Sequence, residues 1–408
     1  MRFKICYLKL MLETNFPLKT PETVEAIHSW WSTFDKHRED LHKQFQPHST
    51  HGFDVAEFMH QHFAKINKRM CWEYGPSNIK DHLLAIAPER RKDLEPLARL
   101  ICSLAPEYEN FEIVVNRQPE DWNVYMSYTD GRFQWSGADG ILFDIQNGQN
   151  NLFDIVFHVP HNTQSSDIYS ACYITCETLL GEDIMSKWVG FFDVQTLPKK
   201  SLFSRLKADK LAHLKPLKDL RQTLASKIAH LKNNLQAHPY AAMTEETHWS
   251  LLSMEPKDQQ DYEPLRDMIT SVTPSTELFN AYYSNRDRFY SERFSKFGEQ
   301  FIFLQLDGSA DDLDQQIFGD RGEIEDALDA ALIKNTVGKV IGGGTGRKYS
   351  YIHFAVTDLQ TAIESLKRTL RNEKCTRRAW IMFHDANRQQ EWIDIWDDTP
   401  APKLPTIE

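Results

Sequence analysis

The chain has 408 residues, 41% hydrophobic and 26% charged, which is the balance of a globular protein with two or three domains. Its formal net charge of −11 argues against a nucleic-acid coat or a polybasic membrane binder. Six cysteines, none in a Cys-x-x-Cys pair, argue against a disulfide framework or a zinc ribbon and fit a reducing cytoplasm.

No apolar run approaches about 18 residues, so no membrane span is expected. The opening MRFKICYLKLM is broken by Lys4 and Lys9 and lacks a signal peptide's apolar centre. It reads as a short strand, or as an extension ahead of Met11.

Residues 22–46 read as a helix. Val24, Ile27, Trp31, Phe34, Arg38, Leu41 and Phe45 recur at 3–4 spacing, and Thr20-Pro21 supplies a cap with proline in the first turn. Arg38 stands on the apolar stripe and is expected to snorkel from its edge. Residues 53–70 repeat the pattern with Ala56, Met59, Phe63, Ile66 and Met70. Strands are expected at 79–87, 111–116, 123–128, 152–159 and 188–194, and a helix at 89–104. Thr129-Asp130-Gly131 is a hairpin turn signal. Ser166-Asp167 is expected to cap a buried helix that Gly181 stops. Together these elements form an N-terminal α+β domain over 12–200.

The composition then shifts. Over 199–236, ten Lys and Arg face only Asp209 and Asp219, a net of +8. Leu217, Leu220, Leu224, Ile228, Leu231 and Leu235 lie at helical spacing, so 201–285 reads as a basic helical connector. Such a helix could pack on its own acidic domains, bind a partner or itself, or meet an anionic surface. The run Tyr282–Tyr290, rich in aromatics and arginine, could stack bases but is better read as a helix docking on the last domain.

That last domain, 286–398, reads as strand (300–306), helix (322–335), strand (from Lys339), strand (349–356), helix after Thr357-Asp358, and strand (378–383). The order β-α-β-β-α-β is the ferredoxin-like unit. Both helices carry one apolar face, so both can back one side of an antiparallel sheet. The other side must be solvated, covered by 286–298, or used to bind. Three prolines in six residues suggest a disordered tail over 399–408.

The run Val337-Gly338-Lys339-Val340-Ile341-Gly342-Gly343-Gly344-Thr345-Gly346, followed by Tyr349-Ser350-Tyr351-Ile352, resembles uncharacterised bacterial proteins with a ferredoxin-like, PII-like domain. Ile168–Asp183 with Trp188–Val194 resembles a bacterial domain of unknown function. The resemblance implies the fold and no activity.

The candidate ligand-binding residues are Gly342, Gly343, Gly344, Thr345, Gly346, Arg347 and Lys348. Successive glycines can converge N–H groups on phosphate, with adjacent cations adding charge. The segment lies between two strands, however, and lacks a helix dipole. The alternative is a wide hairpin. His37 and His42 lie about 140° apart on a helix, and His60 and His62 about 160°, so neither pair chelates. His158 and His161 point to opposite strand faces. Cys172 and Cys176 share an apolar helix face, where burial makes thiols inert. Asp307, Ser309, Asp311, Asp312 and Asp314 miss the glycine and glutamate positions of a calcium loop.

No catalytic residue, metal or cofactor is assigned. The favoured reading is a non-enzymatic regulatory or interaction protein, with a protein partner or self-association. The alternatives are a small-anion or nucleotide sensor at 342–348 and an unrecognised enzyme in the N-terminal domain.

Overall fold

The computed structural model describes residues 9–46, 50–120, 141–160, 168–197, 211, 213–244, 247–256, 266–307 and 320–405, and the backbone of 124–129 and 132–137. The chain is mixed α+β. It forms two compact units, one of residues 1–115 with 236–408 and one of 116–235. This division differs from the boundary expected near 200. Among the described residues, no helix is long and apolar enough to cross a membrane.

The first unit begins with helices α1 (Pro21–Gln44) and α2 (Val55–His62). Thr20 caps α1 by accepting the Thr23 N–H, and α1 buries Ile27, Trp30, Trp31, Phe34 and Leu41. Arg38 lifts its guanidinium over the Tyr108 ring at 5.7 Å. The stripe therefore holds with one charge at its rim. Strands β1 (Cys71–Pro76), β2 (His82–Ala87) and β3 (Phe111–Val115), with α3 (Glu95–Ser103) between the last two, form a sheet in the order β1-β2-β3. β2 and β3 run parallel, which requires the α3 crossover. α3 is shorter than the helix expected over 89–104, because Glu89 and Arg90 take positive φ.

The second unit holds the hairpin β4 (Val124–Thr129) and β5 (Arg132–Gly137), then β6 (Leu142–Asn147), β7 (Phe153–Val159), α4 (Ile168–Trp188), β8 (Val189–Thr196), β9 (Lys215–Pro216) and α5 (Leu220–Asn233). The turn signal's Asp130 and Gly131, the Ser166-Asp167 cap and residues 199–210 lie outside the described residues. α4 breaks at Gly181 (φ 77°), where an added Cβ would meet Pro119. Within the expected basic stretch the described helix is α5, and Leu220 and Leu224 on it are buried in the same core as Phe157 and Trp188.

Beyond it, the expected helical connector gives way to strands. β10 (Ser250–Ser253), β11 (Met268–Thr273) and α6 (Thr276–Ser284) return to the first unit, followed by β12 (Gln300–Asp307), α7 (Arg321–Lys334), β13 (Gly338–Gly346), β14 (Tyr349–Val356), α8 (Leu359–Asn372), β15 (Ala379–Phe383) and β16 (Trp392–Asp394). They build one sheet in the order β10-β11-β13-β14-β12-β15-β16. Every neighbouring pair in it is antiparallel.

Alternation along the strands separates two cores. Ile302, Leu304, Ile352, Phe354 and Ile381 meet α7 and α8 through Leu328, Leu332, Ile363 and Leu366. Phe301, Phe303, Tyr351, Trp380 and Met382 meet Phe279 and Tyr282 of α6, with Phe289 and Phe294. The second face is thus covered: of the three alternatives, covering by 286–298 is the one found, through Phe289 and Phe294, with α6 beside them. Burying aromatic rings of this size outweighs the ordering of the covering segment. Residues 399–405, expected to be disordered, also lie on this face. The Trp380 indole donates to the Pro400 carbonyl at 2.7 Å, and Leu404 packs against the same core.

Two polar devices lie inside this unit. Glu391, fully buried, accepts from Arg388 at 2.7 Å and from Arg99 of α3. Burial pushes its carboxyl up, but the two guanidiniums outweigh that and hold it below the ordinary range. On the α6 face, His353 Nδ1 and His384 Nε2 lie 3.1 Å apart. Burial lowers His353 to about 3 and His384 well below the usual imidazole range.

Two outcomes follow. Arg99→Met leaves part of the Glu391 charge uncompensated, so urea denaturation should show a loss of about 3 kcal/mol. The buried histidines stay neutral when folded and bind protons when unfolded. Their contribution is therefore full above the unfolded pKa of about 6.5 and is lost as pH falls toward 3. Stability measured from pH 6.5 to 4.5 should fall, and His353→Phe should reduce that slope by up to about 1.4 kcal/mol per pH unit.

Candidate functional site

The predicted glycine segment is not a loop. Gly342–Gly346 forms the second half of β13, with β11 on one side and β14 on the other: Gly343 pairs with Val272 and Ile352, and Gly344 with Ser271 and Tyr351. The bulge at 340–342 is what requires glycine. Gly342 has φ 150°, and a Cβ there would lie 2.5 Å from the Val272 carbonyl oxygen. The glycines let β11 come close, and their backbone groups belong to two ladders rather than to an anion.

The turn proper is Arg347-Lys348, and a carboxylate from β11's entry fills it. Asp267, fully buried, accepts the N–H groups of Lys348 at 3.1 Å and Tyr349 at 2.9 Å, and the Tyr351 hydroxyl. The Arg347 N–H donates to the Asp267 carbonyl at 3.0 Å. A Cβ on Gly346 would collide with this carboxylate. The donors that a phosphate would need are spent on an internal anion, whose charge also repels a second one. Lys348 lays its ammonium over the Tyr349 ring at 5.2 Å.

The helix side is also acidic. Glu325 of α7 sits against Gly343 and is paired with Arg321 at 2.7 Å, while Arg321 also donates to the Thr345 hydroxyl. Burial raises the Glu325 carboxyl against the pull of Arg321. The seven predicted residues are brought together, but as the seam between β11 and the rest of the sheet. This is the geometry of the hairpin-and-bulge alternative.

The geometry that remains open to a partner lies one strand further out. β10 ends the sheet. The Met254 N–H donates to the Ile269 carbonyl at 2.8 Å, so by alternation Leu252 and Ser250 also face β11. Leu251 and Ser253 then aim their N–H and C=O groups outward. Leu251 is 71% exposed, Trp249 41% and Ile269 42%. Residues 247–254, Thr-His-Trp-Ser-Leu-Leu-Ser-Met, include no charged side chain apart from titratable His248. Natural edge strands are usually protected by charge, proline or bulges. Within 247–254 no such charge or proline occurs; Glu246 precedes the stretch, Glu255-Pro256 follow it, and β11 carries a bulge at Ile269.

One histidine contact was not legible from helix geometry. Among the described residues, His42 meets a strand histidine: its Nδ1 lies 2.8 Å from Nε2 of His82, on β2, and Gln46 bonds its other nitrogen. A partner 40 residues away on a strand leaves no local signal. Cys172 and Cys176 are buried, with the Cys176 thiol 3.5 Å from the Met185 sulfur. Burial pushes Cys172 up to about 12 and Cys176 higher still. Among the described residues, no three His, Cys, Asp or Glu side chains converge to hold a metal.

No family model matches the chain, and neither the curated proteins nor the solved structures searched contain a match.

Asp267→Ala should lower stability by about 3 kcal/mol, because the turn's N–H groups and the Tyr351 hydroxyl lose a charged acceptor. Thermal melting of the wild-type chain should not shift when inorganic phosphate replaces chloride at equal ionic strength.

Proposed function

We propose that the protein is a non-enzymatic regulatory protein that works by docking another chain along β10, and that its first partner is a second copy of itself. The observation that carries this reading is the uncharged, apolar, outward-facing edge of β10. We read β12-α7-β13-β14-α8-β15 as a ferredoxin-like unit, of the kind in the bacterial proteins the sequence resembles. The spatial order β13-β14-β12-β15 and the placing of both helices on one face support this. In this reading β11 and β10 are additions that carry the edge away from the core.

Self-association is favoured by charge. A chain of net charge −11 repels its copies except where the contact is neutral, and 247–254 is such a stretch. A twofold axis at Leu251 would set Leu251 against Leu251 and Trp249 against Ser253, with outward N–H and C=O groups exchanged. Free thiols at the five described cysteines support a reducing compartment such as the cytoplasm.

The test is sedimentation of the full chain. The wild type should be a dimer that dissociates reversibly on dilution. Leu251→Lys, which adds a charge to the edge without touching the core, should be a monomer with the melting temperature of the dilute, dissociated wild type. A monomeric wild type, or a dimer that survives Leu251→Lys, would reject the reading.

A further inference from the structure

Helix α8 is divided between core and cleft. Leu359, Ile363, Leu366 and Leu370 enter the helix-side core of the sheet. Glu364, Lys367, Arg368, Arg371 and Asn372 recur at 3–4 spacing on another face. The stretch 9–13 lies against that face. Leu10 anchors it in the same core, and Lys9 pairs with Glu364 at 2.5 Å. Glu13 and the five side chains of α8 line a cleft of about 430 Å³, within the size range of small-molecule sites.

Some of these charges are already engaged. Arg371 donates to the Ile395 carbonyl at 2.5 Å and to Asp397 at 2.7 Å. Glu364 holds Lys9 and accepts from Gln360 at 2.8 Å. Among the described residues, the side chains of Lys367, Arg368 and Glu13 make no hydrogen bond and no ion pair within 4 Å. An amine, a guanidinium and a carboxylate thus border one cleft with their bonding capacity unspent.

The amine is also unusual in its protonation. Burial, the largest influence, lowers Lys367 below the ordinary lysine range, and Arg371 adds to that. Glu13, Asp397 and Asp394 pull the other way without cancelling it. A half-buried lysine beside a second cation gives up its proton more readily than an exposed one, and the neutral amine is the nucleophile.

We infer that this cleft binds short keto acids as a reversible imine on Lys367, with Arg368 holding the carboxylate. The neutral amine adds to the carbonyl carbon, a C–N bond forms, and the carbonyl electron pair moves to oxygen. The C–O bond then breaks as the C=N bond forms. Both amine protons and the carbonyl oxygen leave as water, and Glu13 across the cleft is the group that passes the protons on. Nothing is oxidised or reduced, and water reverses the step. In a chain of net charge −11 an unpaired guanidinium is what gives an anion a place. An anion without a carbonyl would use Arg368 and leave the amine idle. The site uses no residue of the β10 edge, so its failure would leave the docking reading untouched.

The probe is pyruvate, added to the full wild-type chain with cyanoborohydride, which reduces an imine to a stable secondary amine. Peptide mass spectrometry should place the adduct on Lys367 about tenfold ahead of the other lysines. The rate of labelling at Lys367 should saturate with pyruvate, as binding in a cleft requires. Hydroxyacetone is the neutral carbonyl of similar size. Arg368→Gln, a change to an exposed side chain, should slow pyruvate labelling about tenfold and leave hydroxyacetone labelling as it was. Even labelling across the lysines, a rate that climbs linearly with pyruvate, or an Arg368→Gln effect equal for both carbonyls would each overturn the inference. The first two are read on the unaltered chain and do not depend on how the variant folds.

Discussion

Strands β12, β14 and β15 have no wet face, and the rest of the first unit is arranged around that constraint. Leu304, Ile352 and Ile381 lie under α7 and α8. Phe303, Tyr351 and Trp380 lie under α6 and the segments beside it. A strand buried on both sides must satisfy its backbone along both edges, since any orphaned N–H would be far from water. The sheet accordingly extends past these strands, through β13 and β11 to β10 on one side and to the short β16 on the other. Among the described residues, covering both faces leaves these strands no open platform.

The glycine strand follows from the same geometry. β13 must lie between β14 and β11 while two carboxylates, Asp267 and Glu325, press on it from the turn and from α7. A side chain at Gly343 or Gly346 would occupy the space those carboxylates fill. The acids in turn replace what an external anion would have done: Asp267 gathers the turn's N–H groups, and Glu325 holds Arg321 over Thr345. The buried Glu391 uses similar logic on the far side. There Arg99 of α3 and Arg388 enclose one charge and tie the N-terminal layer to the sheet, while the backbone of Asn15 pairs with Trp392.

Much of this was legible because periodicity is local. The 3–4 stripes of α1 and α8 and the alternation of Tyr351, His353 and Ala355 against Ile352, Phe354 and Val356 locate their elements and separate the two cores. The order of strands and helices over 300–383 follows directly. What escaped depended on distant partners. β10 is four residues long, and Ser-Leu-Leu-Ser carries no pattern that a helix or loop lacks. β11 has a bulge at Ile269. Consecutive glycines ordinarily signal a turn, and here pairing with the distant β11 makes them a strand. Prolines near 400 suggested disorder, yet Pro400 and Pro405 offer carbonyls that Trp380 and Gln390 take. His42 found His82 for the same long-range reason.

Hydrogen exchange tests the two-sided closure most directly. Amides of β12 and β14 should exchange only through global unfolding, and should be the slowest in the chain. The outward amides of Leu251 and Ser253 should exchange fastest within the sheet in dilute solution. Exchange in β12 or β14 as rapid as at Leu251 would mean that one face stands open to water, and would contradict the architecture on which both functional readings rest.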